Sequence, residues 1–192
     1  MNSRRNQKQY FAVGSILLLA IIALTIGYAS MSQTLKITSS GSVSPGTWKV
    51  GFTTITQTAS GSATCPSASG ANSATLTISG IVLTKPGDSC TYVATVKNSG
   101  TISAKLSSAG TATTPTITGT GTNATTDATT VKNNTTFTIT PSSTIDAAND
   151  TLTANATGTV TMKVTYNSGA TTLPSASVTI SNWSYTLPFV QA

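Results

Sequence analysis

The sequence contains no histidine and no glutamate, and only 7% of its residues are charged. Those two gaps exclude a Ser-His-Asp triad, a histidine-ligated zinc, an H-E-x-x-H protease helix and a paired-glutamate glycosidase. The chain is therefore expected to be non-enzymatic, with no catalytic, cofactor-binding or metal-ligating residues and no cofactor. Arginine is nearly missing as well: Arg4 and Arg5 are followed by none, and the lysines from Lys36 onward (Lys36, Lys49, Lys85, Lys97, Lys105, Lys132 and Lys163) stand singly. The formal charge of +6 thus carries no basic stripe able to track phosphates, and no nucleic-acid partner is expected. With so few ions, Thr, Ser and Asn must wet the surface.

The one long hydrophobic run lies at the start. Residues 1–9 (MNSRRNQKQ) are polar and positive, and residues 10–29 (YFAVGSILLLAIIALTIGYA) are apolar. As a helix, a run of this length spans roughly the 30 Å hydrocarbon core of a bilayer. Positive residues before it and almost none just after it place the N-terminus inside and everything from Ser30 onward outside. Two fates stay open for residues 1–29. The run exceeds the about 7–15 residues usual in a signal-peptide core, which favours a retained transmembrane anchor; Gly27 and Ala29 supply small residues for signal cleavage after Ala29. A pilin-like filament helix would want an early glutamate, which this chain lacks. The membrane, through residues 10–29, is the first expected partner, and the protein is expected to be exported to the cell surface or secreted.

The remainder reads as all-β. Residues 30–47 form a linker with a first strand at Gln33–Thr38, and residues 48–192 form one β-sandwich domain. Strand alternation is clearest in Cys90, Tyr92, Ala94 and Val96, and again in Val160, Met162, Val164 and Tyr166. Leu83–Leu106 (LTKPGDSCTYVATVKNSGTISAKL) reads as a β-hairpin, with Lys85–Asp88 turning into the first strand and Asn98-Ser99-Gly100 turning out of it. Trp48, Val50 and Phe52 share a face, and Phe137 and Ile139 point inward from Thr135–Thr140. Thr58–Ser73 reads as a long exposed loop, and Ser107–Asn134 as weakly ordered, with one edge strand near Pro115–Thr118. Gly80, lacking a Cβ, suggests a bulge or a bend. Val178 and Ile180 fall on one parity and Trp183, Tyr185 and Leu187 on the other, which requires a bulge near Asn182. The sum is an antiparallel immunoglobulin-like β-sandwich of about eight strands, preceded by one N-terminal hydrophobic helix and containing no soluble amphipathic helix.

Cys65 and Cys90 are the only cysteines, an even number in a chain routed outside, and a disulfide between them is expected; two free thiols are the alternative. Asp127, Asp146 and Asp150 with Asn149 offer oxygen ligands, but without a D-x-[DN]-x-[DN]-G loop they read as turn residues. A Lys–Asn isopeptide bond lacks a patterned core acid, and Leu173-Pro174 matches only the start of a sortase signal. Sequons at Asn123, Asn133, Asn134, Asn149, Asn155 and Asn182 are compatible with glycosylation.

The segments IGYASMSQTLKI, GTWKVGF and LTKPGDSCTYVATVKNSGTISAKL together resemble the exported bacterial surface proteins of the camelysin and TasA fibre-subunit type, over about residues 14–106. The resemblance implies a β-sandwich at the cell surface, in some members assembling into fibres by strand exchange. The metalloprotease activity claimed for camelysin has no residues here to carry it. The function expected is a non-enzymatic surface, matrix or fibre protein with possible self-assembly; the alternative is an adhesin-like module whose long loops hold a glycan or protein ligand.

Overall fold

The computed structural model describes residues 46–192 together with Leu18. The chain divides into two compact units between Ser44 and Pro45, and the second carries the fold that follows. Apart from Leu18, a helical residue, the apolar segment 10–29, the cleavage position Ala29 and the strand expected at Gln33–Thr38 lie outside the described residues. Among the described residues no helix is long and apolar enough to cross a membrane.

Residues 46–192 are mostly antiparallel β. Thirteen strands lie in four sheets, with one short helix. The four-stranded sheet has the order β1-β4-β10-β8, formed by β1 (Val50–Ser60), β4 (Ser89–Asn98), β10 (Thr157–Tyr166) and β8 (Thr135–Pro141). The period-two pattern that marks β4 and β10 in the sequence sets their register. Cys90, Tyr92 and Ala94 face Val164, Met162 and Val160 across the ladder, and all six are fully buried. Each strand therefore offers one apolar face and one hydroxyl face.

The remaining sheets hold β2 (Thr75–Ile78), β3 (Ile81–Val82), β5 (Ala104–Leu106), β6 (Thr111–Ala112), β7 (Thr116–Gly119), β9 (Thr151–Leu152), β11 (Val178–Ser181), β12 (Trp183–Thr186) and β13 (Phe189–Gln191). Their orders are β3-β11-β7, β2-β12-β6 and β13-β5-β9. Leu76, Ile78, Ile81, Ile180 and Trp183 from these sheets join the β4 and β10 side chains in one core cluster. Between β8 and β12, the Phe137 and Trp183 rings meet edge to face, with centroids 5.2 Å apart.

The parity switch expected near Asn182 is present, and it is shared by two strands. Ile180 faces Ile81 and Trp183 faces Ile78, so Ser181-Asn182 and Ser79-Gly80 break their strands at the same level. Asn182 and Gly80 both take the left-handed conformation, with φ of 57° and 86°. Gly80 N–H donates to the Ile180 carbonyl and Asn182 N–H to Ser79 Oγ, which keeps the break satisfied. The feature is thus a matched kink rather than an extra residue in one strand, and it turns Trp183, Tyr185 and Leu187 inward. The kink divides two strands into four, β2 with β3 and β11 with β12, and the short strands β6, β9 and β13 bring the number to thirteen where about eight were expected.

Three expectations are corrected. First, Leu83–Leu106 is not a hairpin: β4 pairs with β1 and β10, while β5 pairs with β13 and β9 in another sheet. The reason is Asn98, fully buried at the end of β4. Its Nδ2 donates to the Ile102 and Leu152 carbonyls at 2.8 and 2.9 Å, and its Oδ1 accepts from Gly100 N–H at 3.0 Å. These bonds carry the chain from one sheet to the next instead of doubling it back. Asn98→Ala strands two buried carbonyls and one amide, and is expected to lower stability by about 2–4 kcal/mol, read as a shift in denaturant midpoint at unchanged slope.

Second, a helix, α1 (Ala124–Asn134), occupies part of the stretch expected to be weakly ordered. Only Val131 among its large side chains reaches the core. What fixes the helix is Asp127 in its first turn, whose carboxylate accepts Ser175 N–H at 2.8 Å, Ala176 N–H at 3.0 Å and the Ser175 hydroxyl. The Ser175 amide bond, against the opposing pull of burial and helped by the Ser175 hydroxyl and Ala176 amide, holds the Asp127 carboxyl below the usual carboxylate range. Third, Trp48 is 46% exposed ahead of β1, not on the core face with Phe52. The segment after β1 is likewise less free than an open loop: Thr64 bridges Val82 and Ser69 bridges Thr77.

Candidate functional site

The outer face of the four-stranded sheet follows from the same alternation that fills the core. Residues facing away from Tyr92 and Met162 are nearly all Thr. A bulge at Thr53 resets β1 so that Thr54, Thr56 and Thr58 stand opposite Thr95, Val93 and Thr91. Next to these, β10 presents Thr159, Thr161 and Lys163, and β8 then sets Thr140 against Thr161 and Thr138 against Lys163. The result is a lattice of hydroxyls about 4.8 Å apart across strands and roughly 6.7 Å apart along them. Lys97 and Lys163 lie on the two inner strands, and Val93 is the exposed large aliphatic of this face.

The two edge strands of this sheet each leave one side unpaired within it. Strands β1 and β8 contain no charged residue and, apart from Pro141 at the end of β8, no proline. At the start of β1 the outer side is covered: Phe52 N–H donates to the Ser73 carbonyl and Asn72 N–H to the Phe52 carbonyl. Beyond that point, among the described residues, no backbone hydrogen bond reaches the outer side of Thr54–Ser60 or of Thr135–Pro141. An uncharged edge of this kind is a template for another strand, which soluble proteins commonly block with lysine or proline.

A second feature flanks α1. A groove of about 420 Å³ runs between β7 and α1, lined by Pro115, Ile117, Thr125, Ala128, Thr129 and Lys132. A neighbouring one of about 410 Å³ is lined by threonines and asparagines of α1 with Thr172. Both are open to solvent, with linings that mix polar and apolar surface.

The residues singled out in the sequence fall as follows. Cys65 and Cys90 are joined, with Cα atoms 5.6 Å apart, and tie the segment after β1 to the start of β4. Asp127 holds α1, as above, and Asp150 accepts the Asp146 and Ala147 amides at 2.9 and 2.8 Å. Among the described residues no three His, Cys, Asp or Glu side chains gather to hold a metal ion. Asn123, Asn133, Asn149, Asn155 and Asn182 are exposed and Asn134 half-buried; of these, Asn149, Asn155 and Asn182 occupy left-handed turn positions.

Asp88 carries a role that its sequence context hides. It is fully buried, and its carboxylate accepts Ser62 N–H at 2.8 Å, Thr84 N–H at 2.9 Å, Thr84 Oγ1–H at 2.8 Å and Lys85 N–H at 3.0 Å. Burial pushes its pKa up, but the four bonds outweigh it and hold the carboxyl below the usual range. Gly61 permits this approach, because a Cβ there would strike Asp88 Oδ1. Asp88 and Asn98 share one signature, a lone polar residue beside a turn, which the sequence also shows at many exposed turns.

Tyr92 is the converse case. Its hydroxyl is buried in the core without a hydrogen-bond partner, and burial pushes its pKa up to about 12. Tyr92→Phe removes an unsatisfied group and is expected to raise stability by about 1 kcal/mol, measured by denaturant unfolding at neutral pH.

No family model, curated protein or solved structure matches this chain.

Proposed function

We propose that the protein is a non-enzymatic, exported structural component of the cell surface, a matrix or fibre subunit tethered by residues 10–29 or released after Ala29. The observation that carries this reading is the pair of open, uncharged edges on β1 and β8. Three further features support it: the positive-then-apolar N-terminal pattern, the lack of His and Glu, and the motif resemblance of residues 14–106 to camelysin and TasA-type proteins. The domain itself we read as an immunoglobulin-like sandwich, with the four-stranded sheet as one layer and the smaller sheets together as the other. Its disulfide suits an oxidising location.

The second reading, an adhesin-like module, draws on the groove that α1 forms with Thr172, whose threonine hydroxyls and Asn133 and Asn134 amides suit a glycan. Electron microscopy of the full-length chain in mild detergent separates the two. Filaments or ordered sheets are expected; dispersed single particles that bind a glycan array would replace the fibre reading with the adhesin one. Mass spectrometry of the native N-terminus decides the tether, with Met1 meaning an anchor and Ser30 a released subunit.

A further inference from the structure

We infer that copies of this chain join head to tail through β8 of one and β1 of the next, extending the four-stranded sheet by plain side-by-side addition. The inference rests on the structural-subunit reading and specifies its contact.

Strand direction is the first ground. Each neighbouring pair in β1-β4-β10-β8 is antiparallel, so the two edge strands run in opposite directions. A second copy set beside the first in the same orientation therefore brings its β1 antiparallel to β8, without any turn of the molecule. The junction repeats the pairing already used inside the sheet. Because the contact joins two different edges, each addition leaves a free β1 edge at one end and a free β8 edge at the other, so growth continues as a filament wherever the rotation between copies does not close a ring.

Side-chain parity is the second ground. A strand can be added only in a register that keeps core-side residues on the core side. Setting Thr56 opposite Thr138 does so: Thr54 then meets Thr140, and Thr58 meets Thr136, continuing the hydroxyl lattice. On the inner side Ile55 meets Ile139. Both isoleucines are only half-buried in the single chain and both pack at the border of its core, so this pairing covers them.

Charge is the third ground. Neither strand carries an ionic group, and the sheet's lysines sit on β4 and β10, where they do not oppose an added strand.

The test uses full-length protein in mild detergent. Cys65 and Cys90 are bonded to each other and no other cysteine exists, so a new cysteine is the sole free thiol. Under mild oxidation a mixture of Thr56→Cys and Thr138→Cys chains is expected to give a disulfide-linked heterodimer as the dominant product, and the double variant a ladder of covalent oligomers. Thr138→Lys, with its native disulfide and unfolding midpoint retained, is expected to lose assembly. Thr56→Cys crosslinking mainly to itself, or wild-type assembly with no crosslink at either position, overturns the β8–β1 contact and leaves the fibre reading standing. Wild-type protein that forms no assembly overturns both.

Discussion

Asp88→Asn is expected to destabilise the domain by about 2–4 kcal/mol, a large share of the stability of a domain this size. The substitution is nearly isosteric, so packing is not the cause. Four donors converge on the Asp88 carboxylate, from Ser62, Thr84 and Lys85. An amide offers one acceptor oxygen, and its NH2 group points at donors that it cannot serve. Denaturant unfolding at neutral pH measures the loss; a cost within error of zero would mean that the donors reach other partners.

The pH dependence follows with a definite sign. Asp88, Asp127 and Asp150 are all held below the ordinary carboxylate range. For Asp150 the Ala147 amide bond leads, with burial opposing and the Asp146 amide assisting. A lowered native pKa means stability that is fully present above the unfolded value of about 3.9 and is lost as pH falls through the native value. With no histidine in the chain, no side chain of that type titrates between, and stability is expected to be level from about pH 5 to about pH 8. The alkaline limb belongs to tyrosine. Burial raises Tyr92, Tyr166 and Tyr185, for Tyr185 with help from the Asp146 charge. Their native stabilisation is present below the unfolded value of about 10 and falls away as pH rises past it. Asp88→Asn should flatten the acid limb, and Tyr92→Phe the alkaline one.

Joint replacement of Cys65 and Cys90 by alanine is expected to cost about 3–4 kcal/mol from the freed unfolded-state loop alone. The link closes a separation of 25 residues, and Cys90 is buried in the core, so a small cavity adds to the loss. The loosening should concentrate in residues 61–70, because the Ser62–Asp88 bond and the Thr64–Val82 and Ser69–Thr77 bridges are their remaining backbone ties, while Asn72 and Ser73 stay bonded to Phe52. Hydrogen exchange of the reduced protein should rise there first, while β10 keeps its protection. Because Asp88 and the disulfide pin the same segment to β4, their losses should not add. Uniform exchange across all strands would contradict this division.

Core strands were legible because burial writes itself as period two: β4 and β10 carry their apolar faces in plain alternation, and the kink at Gly80 and Asn182 was marked by a change of parity. Partner choice was not legible. Asn98-Ser99-Gly100 has the composition of a reversing turn, and only the bonds of Asn98 to Ile102 and Leu152 carry the chain onward to a different sheet. Leu152 lies 54 residues away, and no local pattern encodes that meeting. Helix α1 was hidden for a related reason. Its sequence, ATTDATTVKNN, has neither strong helix formers throughout nor an apolar stripe, and its anchor, Asp127, bonds to Ser175 and Ala176 far along the chain. The disulfide pair needed no such knowledge, since two cysteines leave one pairing. The edges were hidden because a strand's place in its sheet is decided by neighbours that the strand itself does not name.

The central claim, that this is a self-assembling surface protein joined through uncharged strand edges, is tested most directly by sedimentation of the full-length chain over a range of concentrations at low and high salt. A polymer that grows with concentration and changes little with salt is the expected result, because no ion pairs are there to be screened. A monomer at every concentration, or assembly that dissolves as salt is added, would contradict it.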